Sequence, residues 1–269
     1  MTSSSKPGPV LPPRLALPSP GAFVGYVIGL AVLVWAVQGS GWSFSELVVG
    51  LPALADFLGR AFPPSLERVG PLSRALLETF QMALVGTLAG IVLAVPLALF
   101  AARGLIGNRL VNILARGIVA VFRTVPDLVW ALIFVIAVGL GPFSGTLAIA
   151  IDTAGFCGRF FAEAMEDVDK GPAEALRAQG VRQSDAVFCA VVPAAMPSFI
   201  TSALFALEKS TRASVVLGLV GAGGIGIELK VAMDLFNFQT AATIILMIFA
   251  LVMAVEQFGA WARSRILQA

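Results

Sequence analysis

The chain has 269 residues, 58% of them hydrophobic and only 13% charged; a soluble domain carries about twice that charge, which excludes an ordinary water-soluble fold and places the chain in a bilayer. It contains no histidine, so histidine general bases, histidine metal ligands and histidine-containing triads are excluded together. The net charge of +2 says little as a total, and the placement of the charges says more.

Residues 1–20, rich in Ser and Pro, read as a short extended tail. Residues 21–38 form an apolar run long enough to span, with no small-residue cleavage pattern at its end, so it is read as a retained first span. Trp42, Phe44, Leu47, Leu51, Leu54 and Phe57 then recur at helical spacing, which predicts an amphipathic helix on the membrane surface with Trp42 as its anchor. A second span over 72–102 is longer than a bilayer needs and is expected to kink at Pro96. Arg109, Arg116 and Arg123 follow at seven-residue intervals, with Asn112 on the same side. That pattern predicts a helix with one basic stripe lying among headgroups.

A third span is expected over 124–140, a turn at Gly141-Pro142, and a fourth span over 143–164. Asp152, Gly155, Gly158 and Arg159 interrupt the fourth, so it should face other helices rather than lipid. A polar stretch, a fifth span over 191–219, a glycine-rich connection and a sixth span over 240–261 complete the chain. The division is therefore a tail (1–20), a first span with its amphipathic segment (21–71) and a transmembrane domain (72–265), all α-helical. Six spans put both termini on one side. Lys6, Arg14, Arg103, Arg109, Lys170, Arg177, Arg182, Arg263 and Arg265 gather there, against Arg60, Arg68, Arg74 and Lys230 opposite, so that side is expected to be cytoplasmic.

The cytoplasmic stretch around residues 163–190 is the longest polar interval. Gly171-Pro172 fits a helix start, Glu174 meets the positive end of the helix dipole, and Gly180 is a natural stop. A second helical run then ends in Pro193 and Pro197. Within the fifth span, Glu208, Lys209 and Arg212 are costly unless paired or wetted. Glu208 and Arg212 stand at i and i+4 and are expected to pair along the helix. That leaves Lys209 and Arg212 as a net positive feature: either a patch suited to a phosphorus oxyanion or a structural ion pair between helices. Asp152 and Arg159 are candidates to pair with Glu208, Lys209 or Arg212 across the bundle. Gly221-Ala222-Gly223-Gly224-Ile225-Gly226 matches a dinucleotide fingerprint in form, yet no βαβ context surrounds it. It reads either as a gate beside the pathway, built on Gly221, Gly223, Gly224 and Gly226, or as a close-packed turn. Cys157 and Cys189 fit no metal or redox spacing, and no phosphate-binding loop occurs, so this chain cannot cradle ATP.

Glu174-Ala175-Leu176, then Gly180, then nine residues before Ala190-Val191-Val192-Pro193 resembles the EAA loop of ABC importer permease subunits. Leu176, Ala190 and Val192 depart from that pattern conservatively. Arg123 to Leu132 (RTVPDLVWAL) and Arg212 to Gly226 (RASVVLGLVGAGGIG) resemble the phosphonate-type branch, which imports phosphonates, phosphite or hypophosphite. The resemblance covers roughly residues 72–265. It implies an all-α, type I ABC importer permease of the kind shared with methionine permeases, in a bacterial inner membrane. It also implies a permease homodimer, two ATPase subunits that hold ATP and Mg, and a periplasmic substrate-binding protein, with no cofactor on this chain and no nucleic acid. The coupling residues would be Glu174, Ala175, Leu176, Gly180 and Pro193. Two other classes fit the residues less well. An intramembrane hydrolase would need clustered acid, base and nucleophile within the spans. A secondary transporter would show internal repeats and acidic relays.

Overall fold

The computed structural model describes residues 19–105 and 108–266. Nearly all of the expected tail, including Lys6 and Arg14, lies outside the described residues. The chain divides into two compact units, Met1–Asp56 and Phe57–Ala269. The first holds α1 (Pro20–Gly39), apolar along its whole length, and most of α2 (Phe44–Ala61). Ser19 caps α1 by accepting from the Ala22 amide.

The second unit is built on three long helices. These are α3 (Val69–Ala101), α6 (Pro142–Asp167) and α9 (Val192–Leu219). The most extensive pairing is α3 with α6. Its seam is small residues, among them Ala83, Gly86, Gly90 and Ala94 on α3, and Gly145, Ala148 and Ala154 on α6. A Cβ placed on Gly90 would lie 2.5 Å from Thr153 Cβ and 2.7 Å from the Ala150 carbonyl oxygen. The two backbones are thus close enough that only hydrogen fits between them, as expected where helices in lipid gain by dispersion contact rather than by escaping water.

Around this trio stand α4 (Arg109–Thr124), α5 (Asp127–Val138), α10 (Ile225–Asp234) and α11 (Phe238–Ile266). The short α7 (Gly171–Ala178) and α8 (Gln183–Ala186) lead through a π-helical turn, Val187–Val191, into α9.

Among the described residues, four helical runs are long and apolar enough to cross a membrane: α1, α3, the run from α8 through α9, and α11. The third expected span is different. Its helix α5 has 12 residues, about 18 Å of rise and too short to cross alone. It reaches span length only with α4, from which it is bent by 92°. Pro126 at the joint explains the break: Val125 before it is extended (φ −80°, ψ 121°), as a residue preceding proline must be. The basic-stripe helix α4 therefore meets α5 nearly at a right angle, so the two helices do not run on as one straight span. The fourth expected span, α6, has 26 residues, long enough to cross but too polar to stand in lipid. It is packed by α3, α4, α5 and α9, as its interrupted sequence implied.

Candidate functional site

The stretch expected to couple the chain to a partner is a compact corner. Pro172 occupies the first turn of α7, where its missing N–H leaves no gap. The cap comes from Asp169, whose Oδ1 accepts from the Gly171 amide at 3.1 Å. Glu174 does not cap the helix; it is exposed, and its side chain makes no hydrogen bond or ion pair among the described residues. At the other end the Gly180 amide donates to the Arg177 carbonyl (2.9 Å) and the Val181 amide to the Leu176 carbonyl (3.2 Å). This is the Schellman closure, and it needs the left-handed backbone that Gly180 supplies at φ +85°. Ala173 alone of α7 is buried, in the core formed with Met165, Val187 and Val191. Ala175 is exposed beside Glu174, and Leu176 is half-buried.

The helical run after Gly180 does not end at Pro193. It continues through Pro193 and Pro197 to Leu219. The π turn makes this possible. Proline lacks the donor for the carbonyl four residues back and its ring crowds that carbonyl, and the wider turn just before it bonds the Val192 amide to the Val187 carbonyl instead. Gln183 ties the corner to the α3–α4 connection, donating to the Gly104 and Leu105 carbonyls at 2.9 and 2.8 Å.

The charges of α9 pair differently from the sequence expectation. Glu208 does not bond Arg212 along the helix. It accepts from Arg263 Nη1 of α11 at 2.6 Å, with the two side chains 8% and 19% exposed. The Arg263 guanidinium also lies over Phe205, 4.4 Å from the ring centre. Arg212 pairs with Glu256 of α11. Lys209 reaches the other way and donates to both oxygens of Asp152 on α6 at 2.7 and 2.8 Å. Thus Lys209 and Arg212 are not a free positive pair; each is matched by a carboxylate. The reason is steric as well as electrostatic. Gly259 of α11 has no side chain where Glu208 enters, and a Cβ there would sit 2.1 Å from Glu208 Oε1. Arg159 joins none of these residues and pairs with Glu163 one turn on. Glu256 and Gly259 are neighbours of these charges that the sequence alone did not single out. Their signal was there: Glu256, Gly259 and Arg263 fall at i, i+3 and i+7 on one face of an otherwise apolar span.

These pairs are not all hidden. Lys209 is 42% exposed, and Arg212 with Glu256 is 52% and 41% exposed. A single chain therefore presents a charged face on α6, α9 and α11, set among helices apolar enough for lipid.

The glycine-rich segment is a close-packed turn. Gly226 faces Gly218 so tightly that a Cβ on it would lie 2.1 Å from the Val215 carbonyl oxygen. Gly221 accepts from the Gly141 amide at 3.0 Å, and Gly223 abuts Pro142. At Gly224 the backbone is left-handed (φ +72°), and a Cβ would meet Thr79 Oγ1 at 2.3 Å. The first amides of α10 are already used: Gly224 donates to Glu78 Oε1 (2.9 Å) and Ile225 to Thr79 Oγ1 (2.7 Å). Amides so engaged by α3 are not available to cradle a phosphate.

On α4 the stripe is divided. Asn112 donates to the Phe100 and Ala101 carbonyls (2.9 and 2.8 Å), and Arg116 Nε also to that of Ala101 (2.8 Å). The two side chains thereby satisfy carbonyls that the end of α3 leaves unpaired. Arg116 also binds Glu166 of α6 at 2.5 Å, and Glu166 accepts from the Arg103 amide at 2.8 Å. Arg123, further along, makes no side-chain hydrogen bond or ion pair among the described residues.

Comparison with known proteins places this architecture. Among solved structures, the inward-facing MetNI methionine ABC transporter contains a chain that superposes with a TM-score of 0.66 at 23% identity, covering 75% of this chain and 99% of that one. The shared fold is that of a type I ABC importer permease. Among sequences, the phosphite transport system permease protein PtxC of Stutzerimonas stutzeri is 39% identical over 80% of this chain and 78% of its own length. The phosphate-import permease protein PhnE of Mycolicibacterium smegmatis is 38% identical over 77% of this chain, which spans 39% of that protein. The family model for the binding-protein-dependent transport system inner membrane component matches residues 86–268, and with several apolar spans and this fold the chain belongs to that family as a multi-pass membrane protein.

Proposed function

We propose that the chain forms the translocation pathway of an ATP-driven importer for phosphonate, phosphite or hypophosphite. It would work as a homodimer with two ATPase subunits, which hold ATP and Mg, and with a periplasmic substrate-binding protein. The observation that carries this reading is the exposed charged face of Lys209, Arg212 and Glu256, with Asp152 beneath Lys209. Charges at bilayer depth are tolerated only against water or against protein. A second copy facing this one would supply both, enclosing a wetted path between them. The relatives support the substrate class, since those named above are called phosphite and phosphate permeases.

In this reading Glu174, Ala175 and Leu176 are the docking face toward the ATPase, and Gly180 and Pro193 set the geometry of that corner. The closed hydrogen-bond pattern at both ends of α7 makes it stiff enough to pass on a push. Glu174 contacts the partner directly, since Asp169 already holds the helix start. Lys209 and Arg212 act in the pathway by exchanging their carboxylate partners for a passing anion. The turn at Gly221, Gly223, Gly224 and Gly226 is the fulcrum of a gate. The termini and the α7 corner lie in the cytoplasm, as the distribution of Lys and Arg indicates.

The test is uptake of labelled phosphite, phosphonate, hypophosphite and phosphate by cells carrying the permease with its ATPase and binding protein. The expected result is energy-dependent uptake of one or more of the first three, with the ATPase copurifying. A permease that purifies without an ATPase and still transports would instead be a secondary carrier, and the proposal would be wrong.

A further inference from the structure

We propose that the groove between α4 and α6 is a binding site for a tetrahedral phosphorus oxyanion, held by Arg103, Arg123 and Arg159. The groove is a cavity of about 360 Å³, and its charged lining is Arg103, Arg116, Arg123, Arg159, Glu163 and Glu166. Four guanidinium groups face two carboxylates, so the cavity carries an excess of two positive charges. Arginine cannot discard its charge by deprotonation, so the excess persists at any physiological pH.

The four arginines are not equivalent. Arg116 is committed: it holds the Ala101 carbonyl and Glu166, and that pair is only 30% and 25% exposed. The side chains of Arg103 and Arg123 make no hydrogen bond or ion pair among the described residues. Arg159 is intermediate. Its pair with Glu163 is 48% and 41% exposed, and an exposed pair of neighbours on one helix is worth little. Arg159 can therefore release Glu163 for an incoming anion at small cost. Arginine forks fit two oxygens of a phosphorus oxyanion side by side, and such charge-assisted bonds are about twice as strong as neutral ones. The rest of the lining includes Val119, Ala120 and Ala162, small side chains that leave room for the anion between the guanidinium groups.

The groove is separate from the Asp152–Lys209 pair. Arg159 stands eight residues from the Asp167 end of α6, about 12 Å along the axis. Two sources carry the same chemistry: a soluble oxyanion or the phosphate of an anionic lipid headgroup. The proposal rests on the charges of the groove and stands whether or not the chain transports phosphite.

The experiment uses the full-length permease in nanodiscs of phosphatidylcholine and measures binding of labelled inorganic phosphate at low and high salt. The expected result is saturable binding that weakens with salt. It should fall about tenfold in Arg123→Gln and in Arg159→Gln, each of which removes charged hydrogen bonds. Glu163→Gln is the decisive variant. It removes the competing carboxylate, so phosphate should bind more tightly, a gain that misfolding cannot produce. Adding phosphatidylglycerol to the discs distinguishes the sources. Displacement of labelled phosphate identifies the headgroup as the ligand, and unchanged binding identifies the soluble anion. Two results would overturn the site: no saturable phosphate binding together with no enrichment of phosphatidylglycerol, or binding that all three substitutions leave unchanged.

Discussion

Replacing Arg263 with methionine isolates the worth of the ion pair that joins α9 to α11. Methionine keeps most of the apolar stem and removes the guanidinium. The carboxylate of Glu208, 8% exposed, then loses its partner at 2.6 Å. Breaking a buried pair from one side costs about 3–5 kcal/mol, because the remaining charge stays buried and uncompensated. The stack of Arg263 on Phe205 at 4.4 Å adds about 0.5–2 kcal/mol if it is lost completely. Since Arg263 is itself 19% exposed, water reaches part of the site, and the expected total lies near the lower bound, at about 3 kcal/mol. Adding Glu208→Gln should recover most of this loss, as the buried charge is then gone. The assay is denaturant unfolding of the purified permease in detergent, followed by helicity, for the two single variants and the double. A loss below about 1 kcal/mol for Arg263→Met, or a double variant no more stable than Arg263→Met, would refute the buried-pair argument.

Four other outcomes are expected. Gly90→Ala should destabilise the α3–α6 seam by about 1–3 kcal/mol, read by the same unfolding assay, because its new methyl would lie 2.5 Å from Thr153 Cβ. Asn112→Ala should cost about 1–3 kcal/mol by taking a donor from the Phe100 and Ala102 carbonyls at the end of α3, while Arg116 keeps that of Ala101, and proteolysis near residues 100–105 should quicken. Glu174→Ala should leave unfolding within about 0.5 kcal/mol of the parent yet reduce ATP-driven uptake. Gly180→Ala should cost about 1–2 kcal/mol, since its φ is +85° although nothing crowds the added methyl.

The spans that a reader of the sequence can mark are those whose apolar runs are self-sufficient. The runs at 21–38, 72–102, 191–219 and 240–261 correspond within a few residues to α1, α3, α9 and α11. The α7 corner was equally plain, because Pro172 and Gly180 act through local backbone geometry. The sharp turn between α4 and α5 was not, since hydropathy does not register a 92° bend, although Val125-Pro126 marked the place. Ion-pair partners were the least legible. Glu208 and Arg212 satisfy the helical spacing rule, but that rule knows only one helix. The choice was made by Gly259 and Glu256, more than forty residues away. Similarly, the regular recurrence of Arg109, Arg116 and Arg123 said nothing about which would find a carbonyl at the end of α3. Arg116 did, and Arg123 did not.

The π turn at Val187–Val191 holds one residue more than α geometry would place there. It thus absorbs that residue within one full turn and keeps the two flanking helical segments in phase. Removing a single residue here, Cys189 for example, would let the turn tighten to α winding with Ala173 and Gln183 still facing their seats. The same deletion inside the regular helix of α9 would rotate everything upstream by about 100° and pull both away. The seating of the α7 corner therefore tolerates a change of length at this turn, where the regular helix after it would not.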